Sequence, residues 1–282
     1  MSNQYLLTLQ CLDGPGLIKG VADVLLAYGA NIVEQAQFTD PEAQLFCLRT
    51  RFETDNDDVM AMRASLIERL AHREVAVSLR RADVNRRVIV LVSKADHCLE
   101  DLLYRHKLGE LRLDIPVVVS NHDTLRPVAE RYGIPFVVLP VTAETRRTQE
   151  AAILQLVSEH AADGVVLARY MQILSDEFCA QLPKRIINIH HSFLPGFKGA
   201  RPYHQAHERG VKIIGATAHF VTADLDEGPI IEQDVQRVAH NYSADDLVAI
   251  GRDIERRVLS RAVGLFAEDR VFLIGSRTIV FA

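Results

Sequence analysis

At 282 residues the chain is too long for one average domain and too short for three large ones, so two domains are expected. Apolar residues make up 48% and charged residues 24%, with 15 Gly and 10 Pro, a balance that excludes disorder, collagen and coiled coil. Thirty-two basic against 37 acidic side chains give a net charge of −5, so no overall positive field draws the chain to nucleic acid or anionic lipid.

The first residues, MSNQYLLTLQCLDGPG, lack a basic leader and their apolar stretch breaks at Asp13, so a cytoplasmic location is expected. No apolar run approaches the roughly 20 residues of a membrane helix, and no membrane partner is expected. Cys11, Cys47, Cys98 and Cys179 are dispersed, which suits reduced buried thiols better than disulfides or zinc.

Residues 4–12 alternate in strand fashion and run into Asp13-Gly14-Pro15-Gly16, a turn that leads into a helix over 16–28. Leu17, Val21, Val24, Leu25 and Tyr28 mark one face of that helix, and Gly29 closes it. Strand-like stretches at 31–38 and 44–52 are joined by a connection too short for a helix. A second helix (Val59, Met62, Leu66, Leu70) and a strand over 74–79 follow. The order βαββαβ predicts a ferredoxin-like sheet with both helices on one face. Its opening glycines do not make a dinucleotide fingerprint, because Gly20 comes one residue late and a hairpin stands where a second βα unit would be needed.

The arginine-rich run 80–87 has the composition of a connector, and residues 83–87 are taken as the linker between domains at 1–82 and 88–282. A solvated connector or an anchor to acidic neighbours is favoured over nucleic-acid contact. Beyond it, short apolar strands at 88–92, 115–120, 136–139, 164–167 and 186–189 alternate with helices near 97–107, 124–132, 144–160 and 175–182. That pattern predicts an α/β domain with a mostly parallel, Rossmann-like sheet. Strands near 212–221 and 229–236 follow, then a helix opened by Ser243 and Asp246 in a capping box, then a hairpin at 271–274 and 278–281.

Chemistry concentrates late in the chain. His190, His191, His204, His207 and His219 sit within thirty residues, but no HExxH spacing occurs and no metal is expected. Asn188 and His190, at i and i+2 near the end of a buried strand, emerge together where an open α/β sheet carries its ligands. The Gly/Pro-rich segment 193–202 is read as an irregular site wall. An amide, an imidazole and a carboxylate make an acyl-transfer set without metal: Asn188 donates to an oxyanion, His190 moves a proton, and Asp226 orients and stabilises His190.

The ordered residues Ile187-Asn188-Ile189-His190, Leu194-Pro195, Phe197-Lys198-Gly199, Gly215-Ala216-Thr217-Ala218-His219-Phe220-Val221 and Asp224-Leu225-Asp226-Glu227-Gly228-Pro229 resemble the folate-dependent formyltransferases over residues 87–236. The resemblance implies catalytic roles for Asn188, His190 and Asp226. It also implies folate binding beside Ile173 and Leu174 and under Thr222, Ala223, Asp224 and Leu225, with His219 in support. Where the purine-pathway transferases carry a Gly/Ser-rich turn around a substrate phosphate, this chain reads Ser93-Lys94-Ala95-Asp96-His97-Cys98-Leu99, which disfavours a phosphorylated acceptor. The N-terminal βαββαβ unit resembles an ACT domain. That likeness implies an amino-acid effector bordered by Asp13, Gly14 and Asn31, and a homo-oligomer of at least two chains. The combination is similar to the formyltetrahydrofolate deformylases. It implies hydrolysis of 10-formyltetrahydrofolate to formate and tetrahydrofolate, a role in one-carbon balance and purine synthesis, and no prosthetic group. Formyl transfer to an amine such as glycinamide ribonucleotide is the alternative activity, and a non-catalytic amino-acid sensor a more remote one.

Overall fold

The structure is a computed structural model that describes residues 3–196 and 202–282. The chain forms two compact units, Met1–Asn85 with Glu268–Ala282, and Arg86–Ala267.

In the first unit β1 (Asn3–Leu12), α1 (Leu17–Ala27), β2 (Asn31–Asp40), β3 (Leu45–Thr54), α2 (Val59–Arg69) and β4 (Ala76–Arg81) follow the expected order. The strands make an antiparallel sheet in the order β2-β3-β1-β4. Gly16 at φ 87° and Gly29 at φ 66° bracket α1 in left-handed conformations that glycine adopts without strain. Alternation then divides the sheet. Tyr5, Leu7 and Leu9 of β1 and Phe46, Leu48 and Phe52 of β3 bury one face against Leu17, Val21, Leu25, Met62 and Leu66 of the two helices.

The second unit begins inside the expected linker. It comprises β5 (Arg86–Val92), α3 (His97–Lys107), β6 (Leu113–Asp114), β7 (Val118–Ser120), α4 (Arg126–Arg131), β8 (Phe136–Val138), α5 (Arg146–Glu159), β9 (Gly164–Leu167), α6 (Asp176–Gln181), β10 (Ile186–His190), α7 (Pro202–Glu208), β11 (Ile213–Phe220), β12 (Ile230–Arg237) and α8 (Ala244–Ala267). The sheet order is β12-β11-β10-β9-β5-β7-β8, with β6 beside β5. Strands β10, β9, β5, β7 and β8 run parallel, while β11 pairs antiparallel with both β10 and β12, so the carboxyl ends of β5, β9 and β10 share one edge. Ile89, Leu91, Val119, Val165, Leu167 and Ile186 of the sheet pack against Ile153, Val157 and Phe178 of α5 and α6. Helix α8 opens as the capping box requires: Ser243 N donates to Asp246 Oδ2 at 2.8 Å and Asp246 N to Ser243 Oγ at 3.2 Å.

Four expectations are corrected. The linker 83–87 is shorter, because Arg86 and Arg87 already belong to β5 and pair with Asp163 and Asp114, while Arg80 and Arg81 pair with Asp269 and Asp83. Within the expected strand 115–120 only Val118–Ser120 joins the main sheet, since Pro116 has no N–H to give a neighbour. Part of segment 193–202 is regular, because Pro202 opens α7, a helix too short to announce itself by periodicity. Its residues 197–201 lie outside the described residues.

The fourth correction concerns the second domain, expected over 88–282. The terminal hairpin β13 (Val271–Ile274) and β14 (Arg277–Val280) lies with the first unit. Phe272 and Ile274 pack with Cys47, Leu45 and Ala43 on the sheet face that α1 and α2 leave free. Gln10 Nε2 donates to Leu273 O at 2.9 Å, and Arg49, 3% exposed, donates to Glu268 O at 2.9 Å. The first unit is therefore three layers, helices, sheet and hairpin, the last supplied from the far end of the sequence. All four cysteines are buried and free.

Candidate active site

In β10, Ile187 and Ile189 turn into the core, so Asn188 and His190 share the opposite side at the strand's carboxyl end. Strand β11 lies antiparallel beside it with His219 opposite Asn188, and a register shift between Ala218 and His219 alters the ladder there. The His219 ring donates from Nδ1 to Phe220 O at 2.9 Å, because a carbonyl can only accept. Its Nε2 is then the acceptor of the neutral ring and lies 3.2 Å from Asn188 Nδ2. One amide hydrogen of Asn188 is thereby fixed, and the second is left for a ligand.

Asp226 sits in the connection between β11 and β12 at φ 57°, a left-handed conformation that aspartate tolerates better than most residues. The connection is tight, since a Cβ on Gly228 would stand 1.7 Å from Phe220 O. This turn sets Asp226 Oδ2 3.2 Å from His190 Nδ1 and Oδ1 3.7 Å from His219 Nε2. The bond from His190 above all holds the Asp226 carboxyl well below the usual carboxylate range. His190 is 5% exposed, and its Nε2 is buried with no hydrogen-bond partner among the described residues.

These groups line one pocket. Ile173 and Leu174 form one wall and Thr222, Ala223, Asp224, Leu225 and Asp226 the other, so every residue expected around the folate and the chemistry borders the same space. Met171, Ile173 and Leu225 are 58%, 58% and 59% exposed at its rim, an apolar margin suited to a flat ring. The arrangement supplies an oxyanion donor, an imidazole with one free nitrogen and a carboxylate behind it.

Further groups surround this centre that the sequence did not mark. Arg169 lines the pocket just past β9, at φ 65°, with Nε 3.4 Å from Glu255 Oε2. Position alone, at the carboxyl end of a parallel strand, was the available signal for it. Glu255, 1% exposed on α8, also accepts from Tyr203 Oη and bonds His97 Nε2, each at 2.8 Å. Burial raises that carboxyl, but His97, Arg169 and Tyr203 together bring it below its ordinary value. Cys98 joins His97 and Glu255 in a group whose potential ligand atoms lie within 4.8 Å of one another. Both Glu255 oxygens already have partners and a guanidinium stands beside them, which opposes a cation there. The Ser93 hydroxyl is also spent: it donates to Asn121 Oδ1 at 2.8 Å and accepts from Met171 N at 2.9 Å.

The expected effector residues do not meet within one chain. Leu12 pairs with Leu45, and Asp13 N donates to Gln44 O, whereas Asn31 pairs with Glu53. Eight residues along β3 separate the two places, about 26 Å at the rise of a strand. Asp13 and Gly14 are instead covered by Arg73, whose Nη1 donates to Asp13 O at 2.8 Å.

Comparison with known proteins places this geometry. The formyl transferase family matches residues 86–263. The formyltetrahydrofolate deformylase of Synechocystis sp. is 47% identical over 281 residues, 98% of each chain. The crystal structure of the formyltetrahydrofolate deformylase of Burkholderia mallei superposes with a TM-score of 0.95 at 48% identity, covering 99% of this chain and 100% of that one. A glycinamide ribonucleotide transformylase from Symbiobacterium toebii covers 71% of this chain and 96% of its own, with a TM-score of 0.67 at 33% identity. The deformylases thus match both units of the chain.

Proposed function

The chain belongs to the formyltetrahydrofolate deformylases of the formyl transferase family, and from that premise we infer that it hydrolyses 10-formyltetrahydrofolate to formate and tetrahydrofolate, with Asn188, His190 and Asp226 as the catalytic residues. The folate is the substrate, and no prosthetic group takes part. The observation that carries the assignment of roles is His190, with Nδ1 bound to Asp226 and Nε2 buried and unpartnered among the described residues.

In the reaction, water attacks the formyl carbon while His190 Nε2 accepts its proton. Asp226 stabilises the resulting imidazolium through Nδ1. The oxygen of the tetrahedral adduct takes the negative charge and receives the free amide hydrogen of Asn188 together with the imidazolium. Collapse re-forms the C=O bond and breaks the bond to N10, which takes the proton back from His190. His219 contributes by fixing the Asn188 amide. Ile173, Leu174 and residues 222–225 hold the pterin. A buried Ser93 hydroxyl with both its bonds internal, and an exposed Asp96 three residues on, oppose a phosphorylated amine and favour water as acceptor.

Asp226→Asn is expected to abolish formate release while leaving folate binding within a few-fold. Asn188→Ala is expected to lower kcat about a hundredfold, the loss of about 3 kcal/mol typical of one oxyanion donor. Both are read by formate production from 10-formyltetrahydrofolate without any amine, alongside a folate-binding titration. Near wild-type turnover in Asp226→Asn overturns the roles, and transfer that requires glycinamide ribonucleotide overturns hydrolysis.

The proposal extends to the expected cytoplasmic location, to one-carbon balance and formate supply for purine synthesis, and to an amino-acid effector in a homo-oligomer. Strand β2 supports the last point, since it is a sheet edge that exposes Ile32, Val33 and Phe38. Asp13, Gly14 and Asn31, separated within one chain, are brought into a common site only between chains.

A further inference from the structure

Behind His190 lie two more rings, the nearer one stacked on it and the farther one tilted. His191 lies against His190 with centroids 5.2 Å apart and an interplanar angle of 18°, and Tyr203 lies against His191 at 6.4 Å and 50°. Tyr203, on α7, is held in two ways. Its hydroxyl donates to Glu255 Oε1 at 2.8 Å, and its ring occupies the space over Gly251 of α8, where a Cβ would come within 2.1 Å of Tyr203 Cζ. Glu255 is in turn fixed by His97 and Arg169. A carboxylate buried this deeply is costly unless fully partnered, so the cluster calls for a purpose.

None of Tyr203, Glu255 or His191 is needed to move a proton or hold an oxyanion in the reaction above. Among the described residues, however, the hydrogen-bond contact of the His190 ring is the one of 3.2 Å to Asp226, at the long end of a hydrogen bond. One such contact sets the distance to the carboxylate but not the tilt of the ring, whereas a catalytic group tolerates roughly 10–20° of misalignment. A ring packed flat behind it removes that freedom. We propose that Tyr203 and Glu255 are positioning residues that hold the catalytic imidazole of His190 in plane through the ring of His191; this rests on the deformylase reading. The backing ring must carry no charge, or it would repel the imidazolium that forms at His190. Burial first, with the Arg169 charge, pushes His191 down to about 4 and keeps it neutral.

The test uses the full-length enzyme with Tyr203→Leu, Tyr203→Phe, His191→Ala and His191→Phe, measuring kcat, KM and thermal melting. Loss of a ring is expected to lower kcat about tenfold to a hundredfold with KM within about threefold, as for a misplaced catalytic group. The phenylalanine variants are expected to recover most of that loss at position 191 and part of it at 203, where the bond to Glu255 is still missing. Folded leucine and alanine variants with wild-type kcat overturn the proposal, as does a loss confined to KM. Equal losses in His191→Ala and His191→Phe overturn it too, because they assign His191 a proton rather than a surface. If the Tyr203→Leu chain does not fold, the His191 pair decides. A wild-type enzyme that releases no formate defeats the deformylase reading instead, which keeps the two failures apart.

Discussion

His191 and Asp226 line the same pocket, and their titrations pull stability in different pH ranges. His191 has its pKa pushed from 6.5 to about 4, by burial above all. As pH falls from 7 to 5 the unfolded chain takes up a proton at this site that the native chain refuses, so stability is lost over that interval, by about 2 kcal/mol. Asp226 is shifted down from 3.8, so its contribution is present above that pH and is lost only in stronger acid. Urea unfolding at pH 7 and pH 5 is expected to show a smaller loss for His191→Phe than for wild type, by about that amount. An identical pH dependence would show that His191 does not stay neutral in the native protein. At this scale the sequence was informative where chemistry and strand periodicity coincide, as with Asn188 and His190. Asp226 followed from the need for a carboxylate behind the imidazole, and the family pattern then fell on the same residue. Glu255 was illegible, because in a 24-residue helix with one apolar face a single carboxylate looks like any solvated charge.

Among the elements, the connection from β11 to β12 does the most for the site, since it carries Asp226 and the wall at 222–225 in so few residues. Its tightness rests on Gly228, required here for closeness rather than for a positive φ. Gly228→Ala is expected to push the connection off Phe220, to lower kcat at least about tenfold by shifting Asp226, and to lower the melting temperature. A variant with wild-type kcat would mean that the carboxylate tolerates a displaced turn. The sequence marked α1 by its two bracketing glycines and α8 by its capping box, both strong local signals. It overextended the strand at 115–120, where Pro116 interrupts pairing, and passed over α7, whose seven residues show less than two periods of any pattern.

For the whole molecule, the division into a βαββαβ unit and a mostly parallel α/β unit was readable because the hydrophobic period changes near residue 86. Residues 268–282 were assigned to the wrong unit, since a hairpin's sequence says that it needs an apolar face and not whose. The register of the first sheet also bears on regulation, because it keeps Asn31 about 26 Å from Asp13 and Gly14. Sedimentation with a panel of amino acids, repeated with Asn31→Ala and Gly14→Val, is expected to show effector binding only in the assembled species and weakened by either change. Full-strength binding to a monomer would remove these residues from the effector site.

The hairpin's return has a consequence for synthesis. A ribosome delivers the βαββαβ strands before residues 86–267, yet Cys47 and Leu45 on their outer face meet Phe272 and Ile274 only once the hairpin beyond those residues emerges. Until then the opening sheet has one face dressed and the other bare, while the whole second unit, Arg86–Ala267, is made in between. The opening sheet is thus completed only after the unit that follows it in sequence has been made.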